Sequence, residues 1–285
     1  MEILELDLER DYAGIDQLLE QEEWPFSRSD LEVSHEQPKA TSFVARQGDK
    51  LEGFFTTHNF LDIGYLDMMV VQPGFRKLGV ARKLYLATME ALRRKGINAL
   101  VVHTTRDSFP LIRFLKFKQG CSFTLLALDQ QEASPARCRC RRLSQADDPA
   151  LLDLDALVFG ARREAWLGSL TAKKEIPFYG VFSEEGNLQA SLCLRPRRGG
   201  AVCIDAANAL SLGPLLEVTD FVLAQHPHQR IECFARTDSD YHHALLERGF
   251  AVPEFFTRIG PLVEWRKGEV GRVGASEKIR CLVWL

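Results

Sequence analysis

The apolar positions change period along the chain, and those changes mark out its elements. Asp11 to Glu20 places Ile15, Leu18 and Leu19 on one helical face. A loop holding Trp24, Pro25 and Phe26 follows. Thr41 to Arg46 and Lys50 to Asn59 read as strands joined by the turn Gln47-Gly48-Asp49, and Ile63 to Val71 as a third strand. From Val80 to Arg94 the spacing turns helical, with Leu84, Leu86, Met89 and Leu92 apolar and Gly96 as the stop. Ala99 to His103 reads as a buried strand, Pro110 to Lys116 as a short helix and Phe123 to Leu128 as a strand.

The polar stretch Asp129 to Arg137, with Ser134 and Pro135, has the composition of a linker. Beyond it the order of elements repeats. Cys138 to Leu143 is strand-like, and Pro149 to Phe159 and Arg162 to Leu170 are helical. Phe178 to Phe182 and Leu188 to Leu194 are strands around the turn Glu185-Gly186-Asn187, and Ala201 to Asp205 is the next strand. Gly213 to Gln225 is a helix, Arg230 to Ala235 a strand and Tyr241 to Arg248 a helix; Glu254 to Ile259 and Arg280 to Leu285 are further strand candidates. The repeat predicts two domains, residues 1–130 and 138–285, joined by 131–137. Hairpins mixed with crossover helices predict an α/β fold: a mixed sheet with helices on both faces in each half.

Composition sharpens this only a little. A chain of 285 residues, 46% hydrophobic and 26% charged, can fill two cores. The net charge of −3 argues against a nucleic-acid partner, which needs a basic surface. Met1 to Arg10 has neither a basic n-region nor an apolar h-region, and no apolar run approaches the ~20 residues that cross a bilayer. The expectation is a cytoplasmic protein without a membrane partner. The seven cysteines are scattered and form no Cys-x-x-Cys pair, so they read as reduced, buried thiols. Tyr241-His242-His243 lacks a third ligand at a telling spacing and reads as a solvated helix face; no metal is expected.

The stretch that carries chemistry is Val71-Gln72-Pro73-Gly74-Phe75-Arg76-Lys77-Leu78-Gly79-Val80-Ala81-Arg82. A strand ends, a tight turn follows and a helix begins. Gly79 and the small Ala81 let a ligand approach the backbone, and a helix start offers free N–H groups and a positive dipole end. That combination binds a pyrophosphate. Arg76, Lys77, Arg82 and Lys83 add positive charge. Gly74 and Gly79 have the glycine spacing of a P-loop, but Val80 and Ala81 stand where its Lys and Ser/Thr belong, which excludes an NTPase.

Arg76-x-x-Gly79-x-Ala81 after Val71-Gln72-Pro73 resembles the signature of the GCN5-related N-acetyltransferase (GNAT) family, over about residues 1–130. The resemblance implies acetyl-CoA as co-substrate. It implies that the backbone of Leu78, Gly79, Val80, Ala81 and Arg82, with Arg76 and Lys77, holds the pyrophosphate, and that Met69, Val70 and Val71 pair with the pantetheine arm like an added strand. It further implies transfer of the acetyl group to a primary amine of a small molecule or protein. The second half, through Asp153 to Arg163, Leu212-Gly213-Pro214 and Arg258-Ile259-Gly260, is similar to the C-terminal domain of tandem YitH-like acetyltransferases. It lacks the pyrophosphate signature: Ala206 to Gly213 stands in its place. A second domain that binds no CoA in the usual way is expected.

Asp67 is the one carboxylate in the strand Tyr65 to Val71, where residues 65, 67, 69 and 71 are expected on one face. Burial would suit it to general-base work. Glu36 and Glu52 are less specific alternatives. His103, at a strand end, and Trp24 and Phe26, in a loop that roofs the acceptor site in such proteins, are candidate substrate contacts. The helix Pro110 to Lys116 departs from the family: Lys116 stands where a thiolate-protonating Tyr is common and Phe109 where Asn is. That departure keeps a second reading open, an acetyl-CoA-binding sensor without turnover. Nothing in the sequence fixes the oligomeric state.

Overall fold

The computed structural model describes residues 1–37, 40–60, 63–97, 99–105, 118–129, 139–237, 239–253 and 259–266. The expected helix Pro110 to Lys116, with Phe109 and Lys116, and the expected linker 131–137 lie outside them, as do most of Glu254 to Ile259 and all of Arg280 to Leu285. Two compact units divide the chain, the first built mainly from Met1–Thr104 and the second mainly from Gly120–Pro261.

In the first unit, strands β1 (Glu2–Glu5), β2 (Phe43–Gln47), β3 (Lys50–Phe60), β4 (Ile63–Val71) and β5 (Ala99–Thr105) lie side by side in that order. The first four are antiparallel neighbours, and β4 and β5 run parallel. Helices α1 (Leu8–Gln21) and α2 (Arg28–His35) cover one face, where Ile15, Leu18, Leu19 and Leu31 pack on Val44, Phe54, Met68 and Val70. Helix α3 (Val80–Arg94) covers the other, where Leu84, Met89 and Leu92 pack on Phe43, Phe55 and Leu66. Each helix start has a chemical cause. Asp7 accepts from the amides of Glu9 and Arg10, and Ser27 and Asp30 form a capping box. Asp11, wholly buried in α1, receives Arg46 of β2 at 2.6 Å and Arg10 at 2.8 Å, which ties helix to sheet.

The expected face of β4 is not the observed one. Thr57 pairs with Leu66 and Phe55 with Met69, so Asp67 and Met68 together oppose Thr56 in a β-bulge. The Thr56 hydroxyl takes up the Met68 amide at 3.2 Å. Past the bulge the alternation is reset. Leu66, Met69 and Val71 face α3, whereas Met68 and Val70 face α1 and α2. Asp67 reaches α2 and so parts company with Met69 and Val71, because one extra residue inverts the period-2 pattern.

The second unit repeats this plan. Strands β7 (Cys140–Arg142), β8 (Phe178–Phe182), β9 (Leu188–Pro196), β10 (Val202–Ala209) and β11 (Ile231–Arg236) take the same order, the first four antiparallel and the last two parallel. The repeat inferred from the sequence is therefore present as a fold. Helices α4 (Asp148–Phe159) and α5 (Glu164–Thr171) precede β8, α6 (Leu212–Gln225) links β10 to β11, and α7 (Asp240–Glu247) follows β11. The strand expected to close the first half, Phe123 to Leu128, belongs to β6 (Lys118–Leu128) and pairs antiparallel with β11 in the second unit. Ile259–Arg266 is a further strand, β12. Tyr241 and His242 are not a solvated face: both are buried, and the Tyr241 hydroxyl lies 3.0 Å from that of Thr219. Cys193, Cys203 and Cys233 are free and buried, and burial pushes the Cys203 thiol up to about 11.

Candidate active site

Pairing between β4 and β5 ends at Leu66↔Val102, just before the bulge. From Asp67 onward β4 keeps its partner on the β3 side, where Met69 and Val70 face Phe55 and Phe54. Among the described residues no strand pairs with its other edge from there on, and an extended ligand arm needs such an edge. Val71 then leads into a 3₁₀ turn, Pro73–Phe75, and α3. Lys77 and Gly79 both adopt positive φ, 64° and 84°. A left-handed residue just before the helix is what glycine supplies at no steric cost, and there is open space where a Cβ at position 79 would stand.

The first bond inside α3 runs from the Lys83 amide to the Gly79 carbonyl, 3.1 Å. The amides of Val80, Ala81 and Arg82 precede it, and no side chain caps the helix. Leu78 and Arg82 are exposed, Ala81 is half-buried and Val80 is packed into the core beneath. The loop thus presents backbone donors at a positive helix end, the chemistry a pyrophosphate needs. Arg76 contributes differently from a free surface cation: its Nε donates to the Val71 carbonyl at 3.0 Å and it pairs with Glu22 at 2.5 Å, bracing the turn against α1.

A second cluster lies at the bulge. Asp67 Oδ2 accepts from the Ser34 hydroxyl of α2 at 2.6 Å and lies 2.6 Å from His58 Nδ1 of β3. The side chains of His58 and Asp67 are 10% and 19% exposed, so the pair is shielded without being sealed. The Tyr65 ring stacks on His58, 3° from parallel with centroids 5.1 Å apart. Neither Ser34 nor His58 stands out in the sequence. The signal was the polar run Thr56-Thr57-His58-Asn59 inside an otherwise apolar strand. Of the alternatives, Glu36 is exposed at the end of α2 and Glu52 is buried on β3. Trp24 and Phe26 touch each other, centroids 5.7 Å apart, and pack against the core on the α1 and α2 face. His103 lies on β5.

Residues 7–120 match the acetyltransferase (GNAT) family. This segment is a GNAT domain. No curated protein matches the chain. In fold, the whole chain is similar to a tandem GNAT protein from the clavulanic acid biosynthesis pathway, at 16% identity and TM-score 0.63 over 95% of this chain and 99% of that one. It is also similar to a GCN5-related N-acetyltransferase from Sphaerobacter thermophilus, at 13% identity and TM-score 0.65 over 93% and 95%. A third likeness is to a Pyrococcus horikoshii protein whose acetyltransferase assignment is itself provisional, at 12% identity and TM-score 0.74 over 93% and 89%. The chain therefore consists of two GNAT-like domains on mixed sheets, and it resembles the tandem members of the superfamily. The GNAT family is one of acetyltransferases. Among the described residues, no helix is long and apolar enough to cross a membrane.

The second GNAT-like domain differs where the first has its loop. In the first domain the chain from Gln72 to Gly79 separates β4 from α3; in the second only Leu210 and Ser211 separate β10 from α6. Ala206 to Ala209, expected as a substitute loop, belong to β10 itself.

Proposed function

We propose that the protein is an acyl-CoA-dependent N-acyltransferase, an enzyme of the 2.3.1 type, that moves an acetyl group from acetyl-CoA to a primary amine of a small molecule or protein. The observation that carries this reading is the junction of two features in one domain. A β4 edge that no described strand pairs with leads into the uncapped start of α3, and Asp67 sits at the bulge where β4 leaves β5. The loop residues Arg76 to Arg82 suit the pyrophosphate, and Met69 to Val71 suit the pantetheine arm. Asp67 is the carboxylate on which deprotonation of the acceptor amine depends. Most of the rate in such a transfer comes from holding amine and thioester together. Trp24, Phe26 and His103 are proposed to border the acceptor, and the protein is proposed to work in the cytoplasm.

The test is calorimetric binding of acetyl-CoA together with thiol release on a panel of primary amines. Micromolar binding with turnover on at least one amine is expected. Binding without turnover on any amine would favour the sensor reading, and absence of binding would overturn both.

A further inference from the structure

The end of α1 carries its charges against its dipole. Glu20, Glu22 and Glu23 lie there, and the last turn holds no basic residue, although a helix C-terminus favours cations. A residue selected for helix stability alone would be basic at this place. The compensating cation comes from another element: Arg76, in the loop after β4, lies 2.5 Å from Glu22 Oε1. We infer that Glu22 is a positioning residue for the co-substrate loop, which it holds in its binding shape through Arg76. The inference rests on the acetyl-CoA reading above and deepens it, because Glu22 lies outside the signature and far from it in the chain.

One guanidinium makes both contacts. Its Nε donates to the carbonyl of Val71, the last residue of β4, at 3.0 Å, and its Nη2 reaches Glu22. Between them the chain closes a tight turn. The Phe75 amide donates to the Gln72 carbonyl at 2.8 Å and the Arg76 amide to the Pro73 carbonyl at 3.2 Å. Lys77 follows directly in the left-handed region, then Leu78, Gly79 and the start of α3. A guanidinium anchored at two points therefore fixes where the chain enters that run. Arginine suits this task because its donors form a rigid fork, which the single ammonium of lysine lacks.

The anchor on α1 is itself well held. The Glu22 amide donates to the Leu18 carbonyl at 3.2 Å, the Glu23 amide to that of Glu20 at 3.1 Å and the Trp24 amide to that of Leu19 at 2.9 Å. These bonds close the helix around Glu23, whose φ is 56°. The Glu22 side chain is 21% exposed against 49% for Arg76, so the carboxylate is the shielded member of the pair. A loop already held in its bound shape loses less freedom when the ligand arrives.

Repulsion and bracing predict opposite signs. A carboxylate beside an anion site repels a pyrophosphate, so by charge alone its removal would tighten binding. Removal of a brace weakens binding instead.

Calorimetric titration of the full chain with acetyl-CoA reads that sign. Glu22→Ala is expected to keep its fold by circular dichroism and to bind about three- to fivefold more weakly, the scale of a partly exposed ion pair. In an Arg76→Ala background the same change should leave the affinity as it is or tighten it, since the brace is already gone and only the repulsion is left. An affinity for Glu22→Ala equal to or tighter than wild type would overturn the inference. So would the same loss in both backgrounds, which would detach Glu22 from Arg76. Either result would leave the acetyl-CoA reading standing, whereas a wild-type protein that binds no acetyl-CoA would overturn both. If Glu22→Ala does not fold, Glu22→Gln carries the same comparison, because the amide has no charge to set against the guanidinium.

Discussion

Arg195 of β9 donates to Asp205 of β10 at 2.6 Å, across the same register at which His58 of β3 meets Asp67 of β4. In each domain the acidic residue directly follows the last parallel pair, Leu66↔Val102 in one and Ile204↔Cys233 in the other. The difference lies in the partner and the burial. Asp205 is 1% exposed and its second oxygen accepts the Ala206 amide at 2.7 Å, so both of its oxygens are engaged away from solvent. It has the character of a structural ion pair, whereas His58 and Asp67 remain partly open to solvent.

The first prediction follows from that burial. Arg195→Leu should cost about 3–5 kcal/mol, because it strands a buried carboxylate. Joint replacement, Arg195→Leu with Asp205→Leu, should recover most of the loss. Urea unfolding of the two variants measures this. A single variant as stable as wild type would show that the pair contributes nothing, and kcat should be unchanged in the double variant.

Much of this architecture was legible in the periodicity, and some of it could not be. Ile63 to Val71 and Phe178 to Phe182 emerged with their observed bounds because buried strands present continuous apolar runs. Helix α2 did not, because Arg28 to His35 has too few apolar positions to set a period. Its start was nevertheless written in the box Ser27-x-x-Asp30. The pyrophosphate loop is a contiguous motif, so it could be read in one pass. The cluster at the bulge is not contiguous. Ser34, His58 and Asp67 come from three elements, and they converge only once β3 and β4 pair with an extra residue on β4. Pairing register is a property of two strands, and single-strand alternation cannot reveal it. The same limit hid the pairing of β6 with β11.

The second prediction concerns stoichiometry. The turn between β4 and α3 holds two left-handed residues and a run of exposed backbone, whereas Leu210 and Ser211 alone bridge β10 and α6. Calorimetric titration should therefore find one acetyl-CoA per chain. A value of two would mean that the second domain binds the co-substrate by some other arrangement.

The third prediction tests the loop itself. Gly79 adopts φ of 84°, where an L residue is strained by about 1–2 kcal/mol. Gly79→Val should retain the fold, since nothing lies within 4 Å of the new Cβ. It should weaken acetyl-CoA binding at least tenfold, because the side chain fills the space before the free amides of α3. Unchanged affinity would remove this loop from the binding site.

The last prediction is a pH dependence set by Asp11. Burial alone would raise the pKa of this carboxyl, but donation by Arg10, the Asp7 amide and Arg46 outweighs it and holds the acid below its ordinary value. The unfolded chain has the higher pKa, so it binds more protons as the pH falls past about 4. The group's contribution is present above that pH and is lost as the pH drops through the folded value. Asp11→Asn should therefore cost about 2–4 kcal/mol at pH 7, where it breaks a buried pair with Arg46. The gap between variant and wild type should narrow as the pH falls below 4. Urea midpoints collected at pH 7 and at pH 3 give the comparison. A gap of equal size at both would mean that Asp11 acts through packing, with no part for its charge.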